Sequence, residues 1–181
     1  MTVLVSGGAS SGKSAWAEEV AFSLAAGREG RLLYLASLDR NAGGDTAERI
    51  ARHRAARAGK GFETLELAVS SGEISVVRED GSPGVPLLRD ATVLFEDVGN
   101  LVARALFSDG GGVRAALRFL ERMEAVCGHL VAVTNDIFLG GADCLGGTLR
   151  PYCDALSRAN AALARTAEKA YCVVAGIPLE L

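Results

Sequence analysis

Short apolar runs alternate along this chain with longer stretches in which apolar residues return every three or four positions. The runs fall at 2–6, 31–36, 92–96, 129–134 and 170–175 and have the length and composition of buried strands. Helical spacing fills 13–26, about 46–58, about 113–126 and 149–169, and in the first of these Trp16, Val20 and Leu24 stand four apart. Strands alternating with helices predict an α/β fold, a mainly parallel central sheet flanked by helices. Residues 68–90 break the pattern with Ser70, Ser71, Gly72, Asp80, Gly81, Ser82, Pro83, Gly84 and Pro86. They are expected to form a surface excursion with a short hairpin around Ile74 to Val77. Gly110, Gly111 and Gly112 read as a flexible joint before the next helix. A second glycine-rich loop, Leu139 to Thr148, follows the 129–134 strand. In open α/β sheets such loops gather at the carboxyl ends of strands, where ligands bind.

The first run leads directly into Gly7-Gly8-Ala9-Ser10-Ser11-Gly12-Lys13-Ser14, a complete G-x-x-x-x-G-K-[ST] phosphate loop, and the helical stretch begins at its last residues. Strand, glycine loop and helix together give the motif its mechanism. Backbone N–H groups of the loop turn inward around phosphate oxygens, and the helix start adds its positive end. Lys13 would reach the β- and γ-phosphates, and the Ser14 hydroxyl would ligate Mg2+. A fold of the P-loop NTPase kind that binds a nucleoside triphosphate is the expectation.

Size and charge add limits rather than chemistry. The 181 residues suit one domain, 1–181, with room for a real core. A net charge of −3 gives no global reason to expect nucleic acid as a partner. No apolar run approaches the ~18 residues of a membrane span, and no basic segment precedes the first strand, so the cytoplasm is the expected location. Cys127, Cys144, Cys153 and Cys172 lack C-x-x-C spacing and read as reduced thiols rather than a zinc site.

Three further places carry candidate chemistry. The run Ala91 to Phe95 ends in Glu96-Asp97, an apolar strand delivering an acid to a metal. Adjacent strand side chains point to opposite faces, so one of the two serves; Glu96 is favoured, against the plain reading of a charged strand end. The segment from Thr46 to Lys60 holds Arg49, Arg52, Arg54 and Arg57 around His53. On a helix Arg49, His53 and Arg57 share one face. That face is either solvated, or it presents a nucleophilic histidine whose ring the neighbouring cations keep neutral while offsetting phosphoryl charge. Finally, Asn160 falls on the apolar stripe of the 149–169 helix as a packing hydrogen bonder or a substrate contact, and Thr134-Asn135-Asp136 ends a strand near the phosphate end of the sheet.

Taken together, these residues resemble the bifunctional adenosylcobinamide kinase / adenosylcobinamide-phosphate guanylyltransferase family of cobalamin biosynthesis. The resemblance runs through Gly7 to Ser14, Tyr34-Leu-Ala-Ser37, Arg49-Ile-Ala-Arg-His-Arg54, the acid after the 92–95 strand and Val133-Thr-Asn-Asp136. It continues in Asp154, Arg158 and Asn160 and in Val173-Val-Ala-Gly-Ile-Pro178. It implies that ATP or GTP phosphorylates the aminopropanol hydroxyl of adenosylcobinamide. It further implies that GTP guanylylates a histidine, matched here by His53, which passes GMP to the corrinoid phosphate to give adenosylcobinamide-GDP. The resemblance also implies a homo-oligomer, a trimer. The other readings left open are a descendant with only one of the two activities, and a nucleotide-binding regulator without chemistry.

Overall fold

In the computed structural model residues 1–26, 30–38, 59–137 and 149–181 are described, and they form one eight-stranded sheet with helices on both faces. In chain order the elements are β1 (Thr2–Gly7), α1 (Lys13–Ala25), β2 (Leu32–Ala36), β3 (Glu63–Ser70), β4 (Glu73–Val77), a 3-10 turn (Val85–Leu87) and β5 (Thr92–Glu96). They continue with α2 (Val98–Phe107), α3 (Gly112–Val126), β6 (His129–Asn135), α4 (Arg150–Thr166), β7 (Lys169–Val174) and β8 (Ile177–Glu180). The strand order is β4-β3-β2-β5-β6-β1-β7-β8. The six inner strands run parallel, and an antiparallel partner closes each edge, β4 on β3 and β8 on β7.

Parallel strands covered on both faces need apolar residues at every position, which is why the runs in the sequence are continuous. Alternate residues then feed two cores. Val3 and Val5 join Tyr34, Leu94, Val131, Val133 and Val173 under α1. Leu4 joins Leu33, Leu35, Phe95, Leu130 and Ala132 under α2, α3 and α4. The second core is the larger, and at its centre Phe95 and Phe119 meet at 6.1 Å and 60°. Each fully buried side chain of that size contributes about 1.5–3 kcal/mol over an exposed one.

Several expectations change here. Residues 68–90 are not a surface excursion throughout: 68–70 finish β3, and β4 supplies Ile74 and Val76 to the larger core at 3% and 2% exposure. The alternation Leu65, Leu67, Val69 is a strand whose other face is partly polar. The glycines at 110–112 form a packed corner rather than a loose joint, since the Gly72 N–H donates to the Asp109 carbonyl at 2.8 Å and Gly111 caps α3 in the left-handed region at φ 74°. Helix α2 lies where no helix was expected, started by Asp97, whose side chain accepts from the Asn100 N–H at 2.7 Å. Helix α4 ends at Thr166, because β7 begins at Lys169. The expected basic helix at 46–58 and the glycine-rich loop at 139–148 lie outside the described residues.

Candidate nucleotide site

Strand β1 ends at Gly7, and the loop after it turns back to start α1 at Lys13. The turn depends on Gly12, whose φ of 91° and ψ of 2° lie in the left-handed region where a Cβ is penalised. A Cβ there would also come 3.1 Å from the Gly176 Cα. The Gly12 carbonyl accepts from the Trp16 N–H at 3.1 Å, which makes the loop and the first helical turn continuous. Gly7 is close-packed for a different reason: a Cβ would lie 2.7 Å from the Val173 carbonyl oxygen of β7. Around Gly8 the space is open, with nothing within 4 Å of a built Cβ. Ser10 takes a left-handed φ of 57° at the exposed tip of the loop.

The polar groups of the loop converge. Lys13 is 8% exposed, and its Nζ donates to the Gly8 carbonyl at 3.0 Å, so its ammonium lies across the loop. The Ser11 hydroxyl is buried without a hydrogen-bond partner among the described residues. A buried hydroxyl in that position is costly unless something accepts or donates to it. With Lys13 across it and open space at Gly8, the loop has the charge and the open mouth that an anion such as a phosphate group would use.

From α1 the Ser14 hydroxyl donates to Glu96 Oε1 at the end of β5. The Tyr34 hydroxyl of β2 donates to the other carboxylate oxygen at 3.1 Å. Ser37, fully buried just beyond β2, donates from its hydroxyl to the Glu96 carbonyl at 2.8 Å and accepts from the Asp97 N–H at 2.6 Å, pinning the strand end. Of the two adjacent acids, Glu96 faces the loop. Asp97 faces α2, with Oδ1 on the Asn100 N–H and Oδ2 accepting from Asn135 Nδ2 at 3.2 Å.

Ser14 and Glu96 offer hard oxygen donors side by side. Among the described residues no group of three or more His, Cys, Asp and Glu could hold a metal by itself. A small protein set completed by phosphate oxygens and water is the coordination Mg2+ takes, so the residues present fit that ion.

Behind this array, Asn135 pairs with Gly7 in register, and the Asp136 N–H donates to the Gly7 carbonyl at 3.0 Å. Asn160 makes a packing hydrogen bond, its Oδ1 accepting from the Thr134 hydroxyl at 2.7 Å. Tyr152, in the first turn of α4, has its phenol pushed above the usual tyrosine range by burial, then by the charges of Asp97 and Cys153.

Of the residues expected from the sequence, Gly7, Gly8, Ala9, Ser10, Ser11, Gly12, Lys13, Ser14 and Glu96 lie in this one region. His53, Arg49 and Arg57 lie outside the described residues. The sequence reading gave no role to Tyr34, Ser37 or Tyr152. For the first two the available signal was the stretch Tyr34-Leu-Ala-Ser37 that carries part of the family resemblance, with Ser37 just past the carboxyl end of β2. The cysteines Cys127, Cys153 and Cys172 are free thiols, and Cys144 lies outside the described residues.

A phosphate loop on a parallel sheet, with an acid from a second strand meeting the loop serine, defines a protein of the P-loop nucleotide-enzyme class. The family can be stated more narrowly. The model of the cobinamide kinase / cobinamide phosphate guanyltransferase family matches residues 3–181, and the chain belongs to that family. It is an enzyme of cobalamin biosynthesis, a kinase and guanylyltransferase by family. Among solved structures, a KaiC-like protein from the hyperthermophilic archaeon Pyrococcus horikoshii aligns at 12% identity with a TM-score of 0.44. The alignment covers 94% of this chain and 69% of that one, and it is too distant to bear on function. No curated protein matches the chain. Among the described residues no helix is long and apolar enough to cross a membrane.

Proposed function

We propose that the chain phosphorylates adenosylcobinamide with ATP or GTP and then, through a guanylylated His53, transfers GMP from GTP to adenosylcobinamide-phosphate. The observation that carries the nucleotide half is the meeting of the Ser14 hydroxyl with Glu96 beside a loop whose Lys13 spans its mouth. Family membership supports the two reactions and the corrinoid substrate.

In the kinase step the loop amides and Lys13 hold the triphosphate and spread the charge that builds on the γ-phosphoryl group. Ser14 and Glu96 would hold Mg2+, which when bound neutralises β- and γ-oxygens. The alcohol oxygen bonds to the γ-phosphorus, the bond to the bridging oxygen breaks, and the nucleoside diphosphate leaves. The hydroxyl proton goes to water. Most of the rate comes from positioning, which the buried lysine and pinned strand end provide.

In the second reaction a ring nitrogen of His53 bonds to the α-phosphorus of GTP, pyrophosphate leaves, and the ring loses its extra proton to water. The corrinoid phosphate then takes the guanylyl group and frees the imidazole. Two displacements through a good leaving group replace one difficult transfer. Arg49 and Arg57 offset phosphoryl charge in this step. One domain over 1–181 does this work in the cytoplasm, as a homo-oligomer for which a trimer is the proposed state.

Intact-mass spectrometry after incubation with GTP and Mg2+ tests the proposal. One added guanylyl group, located on His53 and absent from His53→Ala, is the expected result. A label that persists in His53→Ala refutes the assignment of the nucleophile.

A further inference from the structure

One hydrogen bond at the nucleotide site is made by a residue to which the reactions above give no task. Tyr34 is 4% exposed, and its ring belongs to the smaller core, edge-on to Phe62 at 6.4 Å and 79°. In the pairing of β2 with β5, Tyr34 is in register with Leu94 and Ala36 with Glu96. Tyr34 and Glu96 therefore lie on one face of the sheet, on a diagonal between adjacent strands. Along that diagonal the phenol donates to Glu96 Oε2 at 3.1 Å, while the Ser14 hydroxyl donates to Oε1. The main chain of Glu96 is held from the same strand end. Its carbonyl accepts from the Ser37 N–H at 3.0 Å and from the Ser37 hydroxyl at 2.8 Å. The end of β2 thus grips the acid by both its carboxylate and its backbone.

We propose that Tyr34 is a positioning residue for the metal: its hydroxyl fixes the rotation of the Glu96 carboxylate, so that Oε1 stands beside the Ser14 oxygen before Mg2+ arrives. The proposal rests on the reading that Ser14 and Glu96 hold Mg2+, and adds what makes the acid ready to do so. The last side-chain torsion of a glutamate is broad, so an unheld carboxylate exchanges which oxygen faces the loop. Ordering it on arrival of the ion would weaken binding, and ordering it in advance removes that cost. A donor on the far oxygen does this, provided the donor itself cannot move. Tyr34 meets the condition, because its ring is packed in the core and only its hydroxyl reaches the site. Partners of this kind, one bond behind a metal ligand, are worth about 10–100-fold in metal affinity. A buried phenol needs some acceptor in any case, and a bond made for burial alone would have no bearing on a metal. The two roles separate in a metal-dependent measurement.

Tyr34→Phe removes the hydroxyl and keeps the ring. GDP, which carries a β-phosphate but no γ-phosphoryl group to transfer, is titrated calorimetrically in Mg2+ and again in a chelator. The ratio of the two affinities is the gain due to the metal. It is measured for wild type, Tyr34→Phe, Glu96→Gln and the double variant. Tyr171→Phe, altering another tyrosine packed against the same core, is the control. Tyr34→Phe is expected to cut the Mg2+-dependent gain about tenfold while metal-free GDP affinity changes by less than about twofold. In the Glu96→Gln background it is expected to cost nothing further, because the hydroxyl acts through that carboxylate. Tyr171→Phe is expected to leave the gain as in wild type. A gain within about twofold of wild type in Tyr34→Phe, with a reduced gain in Glu96→Gln, overturns the proposal and leaves the metal reading standing. An equal loss from Tyr34→Phe in both backgrounds, an equal loss in Tyr171→Phe, or a parallel loss of metal-free affinity also overturns it, because each marks a general structural role. A gain unchanged in Glu96→Gln removes the metal reading itself, and this proposal falls with it.

Discussion

Replacing Glu96 with Gln separates the folding role of this carboxylate from its role toward a metal. In the structure its two oxygens accept from two neutral hydroxyls, Ser14 on one side and Tyr34 at 3.1 Å on the other. Bonds to a charged group contribute about 1.5–3 kcal/mol and neutral ones about 0.5–1.5, so the exchange weakens each by about 1 kcal/mol. Glutamine is isosteric, and either hydroxyl can reverse its direction to accept from the new amide. A half-buried carboxylate that becomes neutral also sheds desolvation cost. The net loss of stability is therefore about 1 kcal/mol or less. The effect on catalysis is far larger, because an anionic ligand beside Mg2+ has no neutral substitute. Removing a preorganised electrostatic group of this kind costs about 10²–10³ in rate. Urea unfolding without nucleotide, together with initial phosphorylation rates across a Mg2+ titration, gives both numbers. The expected pattern is a nearly unchanged unfolding midpoint with a collapse in rate that added Mg2+ partly restores. Rates within about threefold of wild type would refute the placement of the metal at Glu96. A loss of stability of several kcal/mol would refute the argument about the hydroxyls.

Other consequences can be checked more simply. Gly12→Ala forces a Cβ into a left-handed conformation and to 3.1 Å from the Gly176 Cα, so urea unfolding should show about 1–2 kcal/mol of lost stability, together with weaker nucleotide binding. An unchanged midpoint would contradict the strain argument. Burial pushes the Cys127 thiol up to about 12, well above the usual thiol range. Above pH 9 the unfolded chain gives up this proton while the folded chain keeps it, so stability falls from pH 9 towards 12 and is unaffected below. The same half-buried thiol should react slowly with a thiolate-selective reagent at pH 8 until the protein unfolds, and rapid modification of native Cys127 would refute the raised thiol.

The parts of the fold legible in the sequence were those where one local pattern had one cause. Strands β1, β2, β5 and β6 announced themselves because both of their faces are covered, leaving few polar positions to interrupt the run, and β7 did so by its apolar content although only Val173 in it is buried. Strand β3 was obscured because Glu63, Thr64 and Glu66 interleave with Leu65 and Leu67. Strand β8 carries Pro178 at the sheet edge, where the missing N–H costs nothing but the sequence reads as a break. Helix α2 begins with Val98 and Gly99, a weak opening that depends on the Asp97 cap. The phosphate loop was readable because eight consecutive residues and their flanks specify it. The choice of Glu96 over Asp97 was a preference in the sequence, to which the structure adds that Glu96 meets Ser14 while Asp97 caps α2. Tyr34 and Ser37 stand together in one short stretch, but their partner Glu96 lies about sixty residues on, so no window of sequence shows what they hold.

The strand order has a mechanical corollary. Strand β6 lies between β1, which launches the loop, and β5, which delivers Glu96, so the two halves of the grip stand two strand spacings apart, roughly 9–10 Å. Thr134 and Asn135 form the floor of that gap, and Thr134 is tied through Asn160 to the middle of α4. Any slip or tilt of α4 would reach the slot through Thr134, a residue outside the phosphate loop itself.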